Sequence, residues 1–386
     1  MAPHLWRVDP EVTVAHTVSE AAQRRRRRSA DRYAPPFRPP RLEHSTKPAP
    51  HNRNVLSPLI AIAGPTGSGK STIALRICAS FGGEVVNCDS LQIYRHFDIG
   101  TAKLRLDARE GIPHHLIDIL DPDQLFTAGQ YSRSARTVVA EIRDRGRVPV
   151  VAGGTGFYLS ALLDGLFPGP ARDGSLRERL AVRHKRQPGS LHRLLSRFDP
   201  ETAARVHPND LPKLTRALEI RLLTRQPASQ VFSERSRDPL RGFRVLKIGL
   251  NPEREALYAR LNRRTADMFE GGLIEEVRGI LAMGYSSAAK PFESHGYKQA
   301  IQLLNGELNF GEALASARQN TRNYAKRQMT WFKRDADIEW FAGFGDEPGI
   351  QVAVTGRVRN FLTAASTPSP ATMSRATPGS GTEEST

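Results

Sequence analysis

Cysteine and long apolar runs are both scarce in this sequence. The 386 residues include only two cysteines, Cys78 and Cys88, which are too few for a disulfide framework or for a zinc site built from cysteines. Such cysteine usage is typical of a reducing compartment, and we expect a cytoplasmic protein. No uncharged apolar run reaches the roughly 18 residues of a transmembrane helix, so we expect no membrane partner.

Acidic residues are also in short supply. Lys and Arg number 56 against 40 Asp and Glu, a formal net charge of +16, and this excess favours a polyanionic partner. Residues 1–53 hold eleven basic and five acidic side chains. We predict a disordered basic tail there, because its composition buries little apolar surface. The alternatives are a nucleic-acid arm or a targeting signal. Residues 54–365 keep a net charge of +11, so the body of the chain is basic as well.

Between its ends, the chain alternates short apolar runs with amphipathic stretches, as does a parallel sheet flanked by helices. Strands are predicted at 59–63, 84–89, 148–152 and 244–250, and a helix at about 70–81. After Pro252 the sequence looks helical to about Phe341. The predicted organisation is a core in two parts at 54–171 and 237–345, an arginine-rich helical insertion at 172–236, and a mostly disordered tail at 346–386.

Residues 64–71, with the sequence GPTGSGKS, match the pattern of a phosphate-binding P-loop. The motif stands between a predicted strand and a predicted helix. There, backbone N–H groups of the glycine-rich turn and the start of the helix would surround a phosphate. Lys70 adds a positive charge, and the Ser71 hydroxyl is able to bind Mg²⁺. The sequence thus predicts an α/β, P-loop NTPase-like parallel sheet core that binds a phosphate group.

The acid that many P-loop ATPases carry at the end of a second core strand is missing. The strand predicted at 148–152 ends instead in the glycine-rich turn 153–156, which disfavours a hydrolytic ATPase. Asp89 ends the strand predicted at 84–89, where it would face the ligand crevice at the carboxyl ends of the strands. From there it is placed to take a proton from an acceptor substrate. The alternative is that Asp89 is a turn residue or a helix N-cap.

Several further sequence blocks follow in order. They read DSLQIY at 89–94, DIGTAK at 98–103, HHLID at 114–118, GGTGFY at 153–158, HPND at 207–210, RALE at 216–219, GYKQ at 296–299 and YAKRQMTWF at 324–332. Over about 56–341 the chain closely resembles the tRNA dimethylallyltransferase family. The resemblance implies a P-loop core with a helical insertion and a helical C-terminal region. It also implies a Mg²⁺-dependent prenyltransferase. Such an enzyme moves a dimethylallyl group from dimethylallyl diphosphate to N6 of the adenine 3′-adjacent to the anticodon in tRNA, and releases diphosphate.

The resemblance also implies roles for individual residues. The diphosphate would be bound by the P-loop residues Gly64, Pro65, Thr66, Gly67, Ser68, Gly69, Lys70 and Ser71. Ser71 would also hold Mg²⁺, and Thr66 would act in catalysis by touching the oxygen next to the prenyl carbon. Asp89 would be the catalytic base for the adenine amine of a flipped-out base. Further tRNA contacts would come from Ser90, Leu91, Gln92, Thr155, Arg177, Lys213 and Arg216. The expected state is a monomer that binds the anticodon stem-loop.

Two regions are candidates for holding RNA phosphates. One is the insertion, whose basic side chains would equally suit a plain solvated surface. Within it, Pro212 departs from the family pattern, and proline is tolerated only in the first turn of a helix. The other is a predicted helix at 312–334, where Arg318, Arg322 and Lys326 recur every fourth residue as one basic stripe. A neighbouring face carries Tyr324, Gln328 and Trp331, and aromatic residues at that spacing are more typical of a core than of base stacking.

Three other functions remain compatible with parts of this pattern. A small-molecule kinase, such as a nucleotide kinase, would bind ATP at the P-loop but would leave the GGTG turn without a task. A prenyltransferase of free adenine nucleotides would have no use for the basic insertion. An RNA-binding protein without catalytic activity would not need Asp89.

Overall fold

The computed structural model describes residues 56–167, 169–234 and 238–364. Their core is a six-stranded parallel sheet with the strand order β3-β2-β4-β1-β5-β6. The strands are β1 Ser57–Ala63, β2 Gly83–Asn87, β3 His114–His115, β4 Val148–Ala152, β5 Phe243–Leu250 and β6 Ile338–Phe341. The tail predicted at 1–53 lies outside the described residues, as do residues 365–386.

The helices surround this sheet and extend beyond it. In chain order they are α1 Lys70–Phe81, α2 Ala128–Asp144, α3 Gly156–Leu163, α4 Gly174–Arg186, α5 Ser190–Phe198, α6 Pro200–Arg205, α7 Leu211–Thr224, α8 Ala228–Glu234, α9 Arg254–Glu270, α10 Leu273–Ala282, α11 Tyr297–Leu304, α12 Phe310–Phe332 and α13 Pro348–Thr363. In the described ranges, no helix has the length and apolar character needed to cross a membrane.

Both faces of the sheet are buried, as is usual for parallel strands. Leu59, Ala61 and Ala63 of β1 join one hydrophobic cluster with α2 and α3. The intervening residues Ile60 and Ile62 point to the opposite face, where α1 and α13 cover them. Because β4 lies between β1 and β2, the loops that follow these three strands meet at one edge of the sheet.

Helices α4 to α8 have a hydrophobic cluster of their own, which includes Leu180, Leu191, Leu195, Leu214, Leu218 and Val231. Pro212 lies in the first turn of α7, where a residue without an N–H group breaks no helical hydrogen bond. Asp210 caps this helix by accepting a hydrogen bond from the Lys213 amide. Pro212 departs from the family pattern, but at this position it is compatible with the helix.

Helices α9 to α12 form a third cluster, beside the carboxyl edge of the sheet. Phe97, from the long loop after β2, packs there with ring centroids 5.0 Å from Phe292 and 4.7 Å from Tyr297. Helix α12, predicted at 312–334, begins two residues earlier with Asn309 as its N-cap. This cluster holds α12 over the end of the sheet.

The predicted α/β architecture is confirmed, and the four predicted strands occur as β1, β2, β4 and β5. The prediction of helix up to about Phe341 is wrong at its end, where residues 338–341 form β6. Four residues carry too short a pattern to identify a strand, and β6 is determined by its pairing with β5.

The prediction of a mostly disordered tail from residue 346 is wrong for residues 348–363, which form α13. Glycines and β-branched residues give this segment a weak helix propensity. Val354 and Val358, one turn apart, are fully buried against the sheet. Tertiary packing therefore stabilises a helix that the local composition does not predict.

Candidate active site

The P-loop connects β1 to α1 at the carboxyl edge of the sheet. Gly67 and Gly69 have backbone φ angles of 77° and 87°, which residues with a side chain rarely adopt. Gly69 precedes α1 without a side-chain cap, so the first N–H groups of this helix are available to a ligand. Ser68 Oγ is buried and finds no hydrogen-bond partner within the described ranges. The loop is thus built to bind an anion.

Two cations face this loop. Lys70 Nζ donates a hydrogen bond to the Pro65 carbonyl at 2.7 Å. Burial lowers the pKa of Lys70 to about 8; Arg264 of α9 contributes to the lowering and Asp89 opposes it. Burial also lowers the pKa of Arg264. Two partly desolvated cations near one carboxylate favour a ligand that carries more than one negative charge.

Asp89 lies just beyond the end of β2, on a turn held by Asn87. The Asn87 side chain accepts the Asp89 N–H at 3.0 Å and donates to the Asp89 carbonyl at 3.1 Å. Asp89 Oδ1 in turn accepts the Leu91 N–H at 2.9 Å. Asp89 is therefore also a turn residue, as the alternative interpretation expected, but this role uses only one of its two carboxylate oxygens. The other oxygen has no hydrogen bond to any described residue, so it is available to accept a proton from a ligand.

The GGTG turn after β4 is a packing junction in which glycines are required by close neighbours. A Cβ on Gly153 would lie 2.1 Å from the Cys88 carbonyl oxygen, and one on Gly154 would lie 2.1 Å from Gln328 Nε2. Thr155 Oγ1 accepts the Ser90 N–H at 3.0 Å. This turn therefore fixes the position of the segment that follows Asp89.

Gln328 of α12 joins the P-loop to this turn. Its side chain is buried; Oε1 accepts the Thr66 N–H at 2.8 Å, and Nε2 donates to the Gly154 carbonyl at 2.8 Å. The expectation that the aromatic residues of this face belong to the core is wrong for Trp331 on the next turn, which is 42% exposed. Thr66 also lines a small cavity with Arg264 and His295, so it lies at the boundary between the P-loop and the neighbouring helices.

A larger cavity, of about 550 Å³, opens next to Asp89. Its lining includes Ser90, Leu91, Tyr94, Tyr158, His295 and Tyr324. The rings of His295 and Tyr324 lie 4.7 Å apart. Burial lowers the pKa of His295 to about 4, with smaller contributions from Arg327 and Arg264, so this imidazole is neutral at pH 7. The aromatic walls suit a flat heterocyclic base. Gln92 does not line this cavity, because its amide donates to the Thr101 carbonyl at 3.1 Å.

Arg177 and Arg216, two of the residues expected to contact tRNA, share one buried carboxylate in the insertion. Arg177 donates two hydrogen bonds to Glu219, at 2.8 and 2.7 Å, and Arg216 donates a third at 2.6 Å. Although burial opposes it, these hydrogen bonds lower the pKa of Glu219 to about 2. The third expected contact, Lys213, is paired with Asp210 at 2.7 Å and is 71% exposed.

The basic stripe expected on α12 is not a free surface. Arg318 donates to the Asn262 carbonyl at 3.1 Å, and Arg322 donates to the Asn262 side chain at 2.5 Å. Both arginines therefore tie α12 to α9, and of the three expected members only Lys326 lacks such a bond in the described part of the chain.

The sequence also did not single out Arg264, because its burial next to the P-loop depends on how α9 packs. The described residues contain no cluster of three or more His, Cys, Asp or Glu side chains able to hold a metal ion.

Comparisons with known proteins agree on one family. A family model described as IPP transferase matches residues 92–335. A tRNA dimethylallyltransferase of Solibacter usitatus is 62% identical over 305 residues, which cover 79% of this chain and 99% of that protein. Another, of Koribacter versatilis, is 53% identical over 293 residues, or 76% of this chain and 95% of that protein.

Two solved structures are similar to the chain. The full-length tRNA isopentenylpyrophosphate transferase from Bacillus halodurans has a TM-score of 0.60 at 35% identity, covering 80% of this chain and 98% of that one. A eukaryotic dimethylallyltransferase captured acting on tRNA has a TM-score of 0.67 at 28% identity, covering 80% of each chain.

Proposed function

We propose that this chain, which belongs to the IPP transferase family, moves a dimethylallyl group from dimethylallyl diphosphate to N6 of the tRNA adenine 3′-adjacent to the anticodon. The observation that carries the proposal is the position of Asp89. Its charge acts on Lys70 of the P-loop, while its neighbours Ser90 and Leu91 line the aromatic cavity. A carboxylate between an anion site and a base-sized cavity suits the transfer of a group from a diphosphate to a base.

The proposed reaction is a displacement at the first carbon of the dimethylallyl group. The N6 lone pair forms the new C–N bond as the C–O bond to the diphosphate breaks, and diphosphate leaves with the bonding electrons. The N6 proton goes to the free oxygen of Asp89. Since the adenine amine is a weak nucleophile, this proton transfer contributes about 10²–10⁴-fold to the rate.

The P-loop residues 64–71 stabilise the leaving group. Negative charge develops on the diphosphate oxygens as the bond breaks, and donors fixed in advance lower the barrier. Lys70 supplies a cation, and the uncapped start of α1 supplies N–H groups. Thr66 lies at the boundary of the loop and the small cavity, and we propose that it contacts the oxygen that joins the diphosphate to the prenyl carbon.

The donor set around Ser71 fits Mg²⁺ that arrives with the diphosphate. Mg²⁺ prefers oxygen ligands, keeps several waters and often binds to substrate phosphates with few protein groups. Ser71 is exposed in the first turn of α1 and offers one hydroxyl oxygen. When bound, the ion would neutralise charge on the diphosphate, and Ser71 would hold it.

The tRNA contacts proposed on Ser90, Leu91, Gln92, Thr155, Arg177, Lys213 and Arg216 have unequal support. Ser90 and Leu91 line the cavity for the flipped adenine, and Thr155 positions Ser90. Arg177 and Arg216 are part-exposed, at 27% and 34% of their side chains, so each can reach a phosphate while bonded to Glu219.

We further propose that the enzyme acts as a monomer in the cytoplasm, where its two buried thiols would stay reduced.

The decisive experiment is isotope transfer with the full chain. Dimethylallyl diphosphate labelled in the prenyl group should label an adenosine-containing anticodon stem-loop, and far less label should enter AMP. Transfer of the γ-phosphate of labelled ATP, with no prenyl transfer to RNA, would instead identify a kinase. Preferential labelling of AMP would identify a prenyltransferase of free nucleotides. Nuclease digestion and mass analysis of the labelled RNA would place the group on N6 of the expected adenosine.

A further inference from the structure

Two large aromatic side chains stand exposed beside the GGTG turn. Phe157 of α3 is 50% exposed and Trp331 of α12 is 42% exposed. Their rings make an edge-to-face contact, with centroids 6.1 Å apart and an interplanar angle of 79°. The pair joins two different helices and keeps apolar ring surface in contact with water, which needs an explanation.

The position of this pair is fixed by its surroundings. A Cβ on Gly156 would lie 2.1 Å from Trp331 Cδ1, so the indole is seated directly on the backbone of the turn. One turn earlier on α12, buried Gln328 anchors the helix to the Gly154 carbonyl. The indole therefore presents a rigid surface, and little side-chain entropy would be lost if a ligand stacked on it.

The groove next to the pair is cationic. It has a volume of about 450 Å³ and is lined by Asn323, Lys326, Arg327, Thr330, Trp331 and Arg334. Lys326, Arg327 and Arg334 form no ion pair with any residue of the described ranges, whereas Arg318 and Arg322 on the same helix are bonded to Asn262. Exposed aromatic rings beside unpaired cations are the combination with which proteins bind single-stranded nucleic acid.

This groove adjoins the cavity for the reacting base. Arg327 lines both of them, and its guanidinium lies 5.8 Å from the Tyr324 ring centroid. Thr155 accepts a hydrogen bond from Ser90 of the base cavity. Phe157 is only two residues further along the chain. The two sites therefore border one another through Arg327, as sites for consecutive nucleotides of one strand must.

We propose that Phe157, Trp331 and the three cations form a stacking platform for an unpaired nucleotide adjacent to the alkylated adenosine. Its base stacks on the aromatic pair, and its phosphate lies near Lys326, Arg327 and Arg334. The platform rests on the proposed function, because its ligand is the RNA that delivers the adenosine. It lowers the free energy of the opened loop by replacing the stacking that is lost when the target base flips out.

The test compares Trp331→Leu and Phe157→Leu with the control Phe310→Leu. Phe310 lies on the same helix, is 44% exposed and is remote from the platform in sequence. We expect the two platform variants to bind an anticodon stem-loop roughly 5- to 150-fold more weakly, the effect of losing one stacked base, and the control to bind as the wild type does. Affinity for dimethylallyl diphosphate should stay unchanged in all three.

A second measurement changes the RNA and so does not depend on how the variants fold. Stem-loops with 2-aminopurine or an abasic nucleotide on either side of the target are titrated with wild-type protein and Trp331→Leu. Stacking predicts fluorescence quenching at one flanking position by the wild type alone. It also predicts that the abasic nucleotide at that position weakens wild-type binding but not binding by the variant.

Unchanged RNA affinity in both platform variants, together with no quenching at either flank, would overturn the proposal. Weakened self-association or weakened capture of a folded protein in the variants, with RNA binding intact, would reassign the surface to a protein partner. If the wild type alkylates no RNA at all, the proposed function fails. If the wild type alkylates RNA and Trp331→Leu does so with the same KM, only the platform fails.

Discussion

The backbone of Gly345 lies against that of Gly69 so closely that neither residue has room for a side chain. A Cβ on Gly69 would lie 2.7 Å from the Gly345 nitrogen, and a Cβ on Gly345 would lie 2.4 Å from the Gly69 oxygen. The Gly345 N–H also donates to the Ser68 carbonyl at 2.8 Å. The segment after β6 is therefore a brace for the P-loop, and it is held in turn by Arg260, which makes two hydrogen bonds to Asp346.

Replacing Gly345 by Ala should weaken donor binding more than tRNA binding. The added methyl group must push the brace away from Gly69, and the loop donors then lose their fixed positions. We expect KM for dimethylallyl diphosphate to rise by about tenfold, a cost of roughly 1.4 kcal/mol, with KM for tRNA little changed. Steady-state kinetics with each substrate varied in turn measures this split.

Gly349→Ala is the matched control, because a Cβ at Gly349 meets nothing within 4 Å. It should leave both KM values as they are. Equal rises in both values for Gly345→Ala, or a rise for Gly349→Ala as large as that for Gly345→Ala, would show that the brace does not act through the donor.

Replacing Asp89 by Asn should abolish proton transfer while preserving the turn. The amide oxygen still accepts the Leu91 N–H, so the fold is retained, but the side chain no longer takes a proton. We expect kcat to fall by about 10²–10⁴-fold, with donor affinity equal or tighter because a negative charge near the diphosphate is gone. Single-turnover kinetics and donor titration check both expectations. Asp107→Asn, an exposed acid on a surface turn, should behave as the wild type.

Donor affinity should decrease above pH 8 because of Lys70. The diphosphate binds to the protonated ammonium, whose pKa is lowered by burial to about 8. As the pH rises through 8, binding requires proton uptake, and the donor Kd should increase by up to about tenfold per pH unit. The neighbouring thiol does not interfere, since burial raises the pKa of Cys88 to about 12.

Calorimetric titration of the donor between pH 7 and 9.5 measures this dependence. Lys70→Arg is the control, because a guanidinium stays protonated throughout that range. A wild-type donor Kd that does not change with pH would mean that the Lys70 charge plays no part in binding.

Truncating Glu219 to Ala should destabilise the protein strongly. The carboxylate is fully buried and holds Arg177, Arg216 and the Asp173 amide. Its loss removes the carboxylate that neutralises the two guanidinium groups and leaves the Asp173 amide without its acceptor, at a cost of about 3 kcal/mol. Glu201→Ala removes a surface pair with Arg205, which are 61% and 72% exposed, and should cost less than about 0.5 kcal/mol. Urea unfolding of both variants gives the comparison.

The same residue sets a pH limit on stability. Although burial opposes it, hydrogen bonds from Arg177 and Arg216 hold the pKa of Glu219 in the folded protein at about 2, below its ordinary value of 4.5. Its stabilising contribution is therefore complete above pH 4.5 and is lost as the pH falls from 4.5 towards 2. In Glu219→Gln, this part of the pH dependence should disappear; an unchanged acid profile would contradict the assignment.

Replacing Gln328 by Met should impair both halves of the site at once. Methionine fills the same space but removes the partner of the part-buried Thr66 N–H and of the buried Gly154 carbonyl, and the unpaired carbonyl alone costs about 1–3 kcal/mol. We expect lower thermal stability together with a rise in KM for donor and for tRNA. Gln319→Met, at an exposed position of the same helix, should leave both KM values unchanged. An effect on one substrate alone would show that Gln328 does not couple the two regions.

Local signals account for much of what the sequence predicted correctly. Helix α1 was predicted at 70–81 and has those bounds, because Gly69 and Gly82 flank it in left-handed conformations. The motif blocks identified the family, which the comparisons confirm. Ser90 and Leu91, which follow Asp89 at the end of a strand, line the larger cavity; their contact with tRNA stays a prediction.

The features that the sequence did not predict depend on distant partners. Arg264 is one arginine among several on α9, and only the packing of that helix buries it near Lys70. Arg177 was expected on tRNA, yet its closest partner is Glu219, 42 residues away. Helix α13 and the brace at Gly345 are determined by contacts with the sheet and the P-loop. Local composition carries no information about such contacts.

Two contacts hold the P-loop, one from Gln328 and one from Gly345, and they also determine when the donor site can form during synthesis. The hydrogen bond between Thr66 and Gln328 joins residues 262 positions apart, and Gly345 lies still further along the chain. A nascent chain therefore carries a complete GPTGSGKS motif long before that motif has its working shape. Contacts of such high sequence separation form late in folding. Donor binding is thus a property of the finished polypeptide, and a chain interrupted before residue 345 would have the P-loop sequence without the braced site.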